Sequence, residues 1–461
     1  MTPRRPATTT AITLLLGALA LGAPAAHADP QTCQGRAVTV TGDAGTPGDD
    51  VMVVGPGQKS VDTGAGNDLV CIRLDDSVRR YLFLGTGDGD DEVHNETVAS
   101  KRSLTVYLGS GSDTYVGSDA TGEFVAAGTS DFADSTDTER DVIDTRGGND
   151  TVTSGTAVAG TRNSDVISTG AGDDGVNWAG EQTGPAIDLG DGDNRLRLTS
   201  GWSGSDVSID APRGVVAVDS RPVLRWSGPV TSWGLEYSHL RTTFTGADVG
   251  EYLTFWPTQA ADGGPSPVGD ARLRLDADMG GGDDRIEMLD AAGGDRIGGP
   301  GRDRLGMPRC RVADVRLGIG YDCTDESRAR TAYSGSLDAW ETISVAGGRS
   351  KVIGTNGPDT IRVYTRTARV EGRGGADVLS SSSDRTAKAS RVPFVLIGGS
   401  GADRLQGGYS NEKLVGGRGN DTMLGGPGED RIFGGPGRDR AVGQGGRDRC
   451  VAEVRRSCEL R

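Results

Sequence analysis

The sequence predicts an all-β solenoid built from glycine- and aspartate-rich nonapeptide repeats, regular at the C-terminus and degenerate upstream. Three observations lead there. Glycine supplies 75 of 461 residues, well over twice its usual share, while aromatics make up 5%. Of the 65 acidic residues, 15 are Glu and 50 are Asp. Asp favours turns and Glu favours helices, so the chain reads as turns and short strands with almost no helix. A nine-residue unit also recurs without a break over 398–451.

The N-terminus carries the pattern of a secretory signal over 1–28. Arg4 and Arg5 form its basic start, Ala11 to Ala20 its apolar stretch, and Ala26-His27-Ala28 a small-residue cleavage site before Asp29. The twin arginines lack the rest of a folded-export signal, so ordinary secretion is expected. That apolar stretch is too short for a bilayer, and no later run of 18 apolar residues exists, so no membrane span is expected. The net charge is −16, and loss of Arg4 and Arg5 with the signal takes it to −18. This sign argues against nucleic acid and anionic membrane as partners and favours a bound cation. Six cysteines remain, in three local groups. In an exported chain an even count implies disulfides. Local pairing is the simplest of the possible connectivities: Cys33–Cys71, Cys310–Cys323 and Cys450–Cys458.

The repeat is clearest from Gly398-Gly399-Ser400-Gly401-Ala402-Asp403-Arg404-Leu405-Gln406. Later units begin at Gly407, Gly416, Gly425, Gly434 and Gly443. The sixth position reads Asp403, Glu412, Asp421, Asp430, Asp439 and Asp448; the eighth reads Leu405, Leu414, Met423, Ile432, Ala441 and Cys450. A hard cation such as Ca2+ takes six to eight oxygens, which short Asp side chains and inward-turned backbone carbonyls can supply, and glycine allows such turns. Strand residues alternate in direction, so Arg404, Arg431, Arg440 and Arg449 at position seven face away from the apolar eighth position.

This run resembles the haemolysin-type (RTX) calcium-binding repeat family, whose unit is G-G-x-G-x-D-x-U-x with U apolar. The resemblance implies a parallel β-roll or β-helix in which six residues turn, three form a strand, and two units make one coil. It implies several Ca2+ ions held between turns stacked on one edge. Carried over residue by residue, Asp403, Asp421 and Asp439 line one edge, and Glu412, Asp430 and Asp448 the other. Glu412 departs from the pattern, as does Tyr409-Ser410 in the same turn.

Upstream the nine-residue spacing continues with gaps. Asp50 and Asp68 stand one coil apart, as do Asp359 and Asp377; Asp141 and Asp150 are nine apart, as are Asp165 and Asp174. Single degenerate turns carry Asp113, Asp284 and Asp303, and Asn194 takes the ligand position in its own turn. These residues complete the expected metal set. The expected divisions are a signal at 1–28, degenerate solenoid at 29–195 and 271–397, the regular calcium-binding β-roll at 398–451, and a tail with a capping disulfide at 452–461. Residues 196–270 lose the spacing and hold Trp202, Trp226, Trp233 and Trp256. They are expected to be broader rungs or an inserted β-segment, with the tryptophans filling a core or offering a carbohydrate platform.

Catalytic signatures are lacking. After the signal only His94 and His239 remain, so H-E-x-x-H cannot occur; there is no G-x-S-x-G, and no lysine follows a glycine as in a P-loop. The expected function is a secreted or cell-surface calcium-binding module, structural or adhesive, with calcium and cell-surface polysaccharide as partners. The alternative is a calcium-dependent β-helix enzyme acting on polysaccharide, a lyase or epimerase, whose scattered acids and bases form no short motif.

Overall fold

The computed structural model describes residues 32–75, 81–98, 103–119, 122–128, 138–156, 160–199, 204–236, 241–256, 273–289, 292–325, 332–382 and 394–459, with 158 and 202. The signal over 1–28 lies outside the described residues. No α-helix occurs among them; the one helical turn is the 3-10 segment Ala211–Arg213. The chain is a parallel β-roll.

Each coil contributes one short strand to each of two parallel sheets. One sheet begins with Val51–Val54, Leu69–Ile72, Glu92–Asn95 and Thr114–Val116. The other begins with Ser60–Asp62, Leu82–Gly85, Leu104–Tyr107 and Glu123–Ala126. Toward the C-terminus Thr360–Gly374 is long enough to feed both sides. Its first residues pair with Val378–Ser381 and its last with Phe394–Ser400. From there pairing follows the 18-residue coil, so Leu405 lies beside Met423 and Leu414 beside Ile432.

The core is the column of inward side chains between the sheets. Leu405, Leu414, Met423, Ile432, Ala441 and Cys450 are all completely buried, and the position-seven cations are exposed. A single coil cannot bury its apolar face alone; stacking makes the core continuous. All three expected disulfides are present, with Cα–Cα separations of 5.5, 5.5 and 5.8 Å.

The stretch between 196 and 270 keeps its rungs and adds a hairpin. Arg195–Thr199, Ser232–Glu236 and Tyr252–Phe255 stack in parallel, while Asp206–Asp210, Val215–Val218 and Arg221–Ser227 pair antiparallel. Trp202, Trp226 and Trp233 are buried; Trp226 and Trp233 meet edge-on, as do Trp233 and Phe244, which suits aromatic quadrupoles. Only Trp256 of the four is exposed.

Candidate metal centre

At each turn the chain must reverse within a few residues while stacking on the turn of the next coil. Glycine at position one makes room for that. A Cβ on Gly416 would stand 2.2 Å from Oδ2 of Asp421 and 2.7 Å from the carbonyl oxygen of Gly434 in the next coil. The same crowding recurs at Gly398 against Asp403 and at Gly425 against Asp430. The carboxylate of position six is thereby folded back under its own turn, beside backbone carbonyls.

The carboxylates form ladders. The backbone N–H of Asp403 donates to Oδ1 of Asp421 at 2.9 Å, and that of Asp421 to Oδ1 of Asp439 at 2.9 Å. On the other edge the backbone N–H of Glu412 donates to Oδ1 of Asp430 at 2.8 Å, and that of Asp430 to Oδ1 of Asp448 at 2.9 Å. Upstream, one ladder runs Asp50, Asp68, Asp91, Asp113, Asp141, Asp165. A second runs Glu123, Asp150, Asp174, Asn194, and a third Glu251, Asp284, Asp303, Glu341. Asp359 and Asp377 lead into Asp403.

One oxygen of each rung is thus satisfied. The other is not. Oδ2 of Asp68, Asp150, Asp174, Asp284, Asp303, Asp377, Asp403, Asp421, Asp430, Asp439 and Asp448 is buried without a hydrogen-bond partner, as are both carboxylate oxygens of Glu412. Buried polar atoms are nearly always paired, so a repeated orphan of one chemical type is the chemistry a cation would satisfy. Three expected ligands differ. Oδ2 of Asp50 accepts from the Thr46 N–H, that of Asp165 from the Ser154 hydroxyl, and that of Asp359 from the Thr355 N–H.

Electrostatics agree with the geometry. Burial, with the charges of Asp403 and Asp439 adding to it, pushes the Asp421 carboxyl up to about 6. Burial raises Asp377 and Asp150 to about 7, and burial with the adjacent Asp430 takes Glu412 to about 9. Asp68, Asp174, Asp303, Asp403 and Asp448 shift upward for the same first reason. A stack of buried, unpaired carboxylates carries a desolvation and repulsion penalty that a divalent cation reverses. Among the described residues no three His, Cys, Asp or Glu side chains converge as a ready-made cluster. Each ladder carboxylate instead lies beside turn carbonyls, the all-oxygen surroundings that a hard ion accepts. The residues fit Ca2+.

Several rungs escape the nine-residue reading. Asp91 has a visible signal, Gly87-Asp88-Gly89-Asp90-Asp91, but stands 23 residues from Asp68 and so falls out of register. Glu123, Glu251 and Glu341 are glutamates in units without the full glycine pattern. Glu453 and Glu459 end the two C-terminal ladders, accepting from the N–H of Asp439 and of Asp448 at 2.9 Å each. Asp113, Asp284 and Asp303 look isolated in the sequence yet lie inside ladders.

A model of the RTX calcium-binding nonapeptide repeat matches residues 44–71, 135–156, 395–423 and 424–453. No curated protein matches the chain significantly. These four stretches are thereby RTX calcium-binding nonapeptide repeats, the haemolysin-type repeat that binds Ca2+.

Proposed function

We propose that this chain is an extracellular scaffold that Ca2+ orders, with a structural or adhesive role. The observation that carries it is the row of buried carboxylates in which, as at Asp421 and Asp439, one oxygen is held by the neighbouring coil and the other has no hydrogen-bond partner. The proposed ligands are Asp403, Asp421, Asp439, Asp430, Asp448 and Glu412 in the regular array. Upstream they are Asp68, Asp113, Asp141, Asp150, Asp174, Asp284, Asp303 and Asp377. Asp50, Asp165 and Asp359 contribute more weakly, because their second oxygen already has a protein donor.

Three buried or tail-anchoring disulfides support a location outside the cell, where thiols stay oxidised. Extracellular calcium modules bind in the range of about 0.1–1 mM, a concentration met outside the cell and not in the cytosol. Folding would then follow export, because the site exists only when coils are stacked. The test is a count of bound ions by native mass spectrometry on the chain from Asp29. Binding of several Ca2+ that is lost with alanine at Asp403, Asp421 and Asp439 supports the assignment; the full count retained in that variant refutes it.

A further inference from the structure

The face of the second sheet carries a feature that calcium binding does not use. Two shallow hollows, of about 410 and 430 Å3, lie end to end along it and share Arg362 and Tyr364. Small residues line both: Gly306, Ser344 and Ala346 the first, Ser380, Gly407 and Gly426 the second. The strands run across this groove in register, Arg304 beside Thr342 beside Thr360, and Gly306 beside Ser344 beside Arg362. Rungs follow one another about every 4.8 Å, so the groove is an extended track with open ends.

Its walls are cationic in an acidic protein. Arg285, Arg304 and Arg362 stand against one carboxylate, Glu287, while the whole chain carries −16. Glu287 is paired with Arg285 at 2.8 Å. Arg304 and Arg362 are exposed and have no ion-pair partner among the described residues. Two tyrosine rings, Tyr364 and Tyr409, stand 52% and 43% exposed along the same track. Large exposed aromatics beside unpaired guanidiniums are not explained by the core, which is complete beneath them.

We propose that this groove binds an acidic polysaccharide lying along the solenoid axis. Guanidinium forks match carboxylate geometry, aromatic faces stack on sugar rings, and the Ser, Thr and Gln side chains between them can hydrogen-bond hydroxyls. Guanidinium forks also match phosphate, so nucleic acid is the competing polyanion that the test must separate. The proposal deepens the adhesive reading and rests on it only in needing the calcium-ordered fold.

The experiment uses the full chain from Asp29 saturated with Ca2+, its fold checked by circular dichroism. Binding is measured by calorimetry to oligogalacturonate too short to gel, to neutral dextran, and to single-stranded DNA. The groove predicts binding to oligogalacturonate alone, weakened at least tenfold in Arg304→Gln/Arg362→Gln and severalfold in Tyr364→Ala. The control Arg431→Gln/Arg449→Gln removes the same charge from exposed positions on the other sheet side and should leave binding unchanged. No binding by a folded, calcium-loaded chain, equal binding to dextran or DNA, or equal loss in the control overturns the groove while leaving the calcium scaffold standing. Failure to fold with calcium would instead strike the scaffold reading.

Discussion

The N–H of Asp403 donates to Oδ1 of Asp421 at 2.9 Å, while Oδ2 of Asp421 is buried with no partner at all. One side chain therefore ties two coils together and still presents an unneutralised oxygen. Asn194 shows what happens when the anion is absent. Its Oδ1 accepts from the Asp174 N–H at 2.9 Å and its Nδ2 donates to the Leu189 carbonyl at 3.1 Å, so its turn is satisfied without a cation.

Asp421→Asn should therefore copy the Asn194 turn, with its amide donating to the carbonyl of Gly416 five residues back. The calcium-free chain is expected to gain about 1–3 kcal/mol, the cost of the orphaned buried oxygen. At the same time the ion count should fall. Urea melts of the stripped protein and native mass spectrometry read the two effects. A less stable stripped protein would contradict this account of the ladder.

Gly416→Ala should weaken calcium binding and lower stability by roughly 2–3 kcal/mol, because its Cβ would overlap both Asp421 Oδ2 and the Gly434 carbonyl. Gly445 is the internal comparison. A Cβ there meets only Pro427 Cα, at 3.9 Å. Gly445→Ala should change stability by about 0.5 kcal/mol or less. Thermal melts in millimolar Ca2+ that rank the two variants the other way would count against the packing described.

Acid should substitute in part for calcium. Folded-state values raised to about 6 for Asp421 and Asp430 and about 7 for Asp377 lie above those of the unfolded chain, chiefly through burial. Such groups destabilise the fold only once ionised. The stripped protein is thus most stable below about pH 4 as far as they are concerned, and that stability is lost as the pH rises through 6 to 7. Glu412, raised to about 9, extends the loss further. Strand content of calcium-stripped protein should rise between pH 8 and pH 5, while calcium affinity falls over the same interval. A stripped protein that loses strand signal steadily on acidification would show that these carboxylates are not buried as described.

Glu412 should mark the weakest position of the regular array. Both of its carboxylate oxygens lack partners, where Asp430 leaves one. Its turn also has Ser410 where the next unit on that edge has Gly428 at φ 154°. Glu412→Asp with Ser410→Gly restores the shorter side chain and the freer turn. Calorimetry should then show the weakest calcium step tightened severalfold, and an unchanged step would argue against the register.

The roll was legible where the spacing is unbroken. From Asp403 to Asp448 every second unit falls on one edge, and position eight alone names the core. Upstream the coils lengthen, and the ruler fails although the stacking does not. Asp113 stands 22 residues after Asp91 and 28 before Asp141, yet bonds to both. The extra residues leave the turn and its aspartate in place, so spacing hides what hydrogen bonding restores. The terminal caps were not legible, because Glu453 and Glu459 reach their ladders 14 and 11 residues on and not 18. For 196–270 the lost spacing left broader rungs and an inserted β-segment both open; of the tryptophans there, Trp202, Trp226 and Trp233 are buried and Trp256 is exposed.

Calcium and the fold are one equilibrium in this account, because only the stacked state assembles the ligands and binding to it alone adds stability. The direct measurement is a calcium titration of the chain from Asp29, followed by far-ultraviolet circular dichroism with ion stoichiometry read on the same samples. Strand signal rising cooperatively with free Ca2+ near about 0.1–1 mM, together with uptake of several ions, is the predicted result. The same strand signal and the same thermal midpoint in the stripped and the calcium-saturated chain would contradict it.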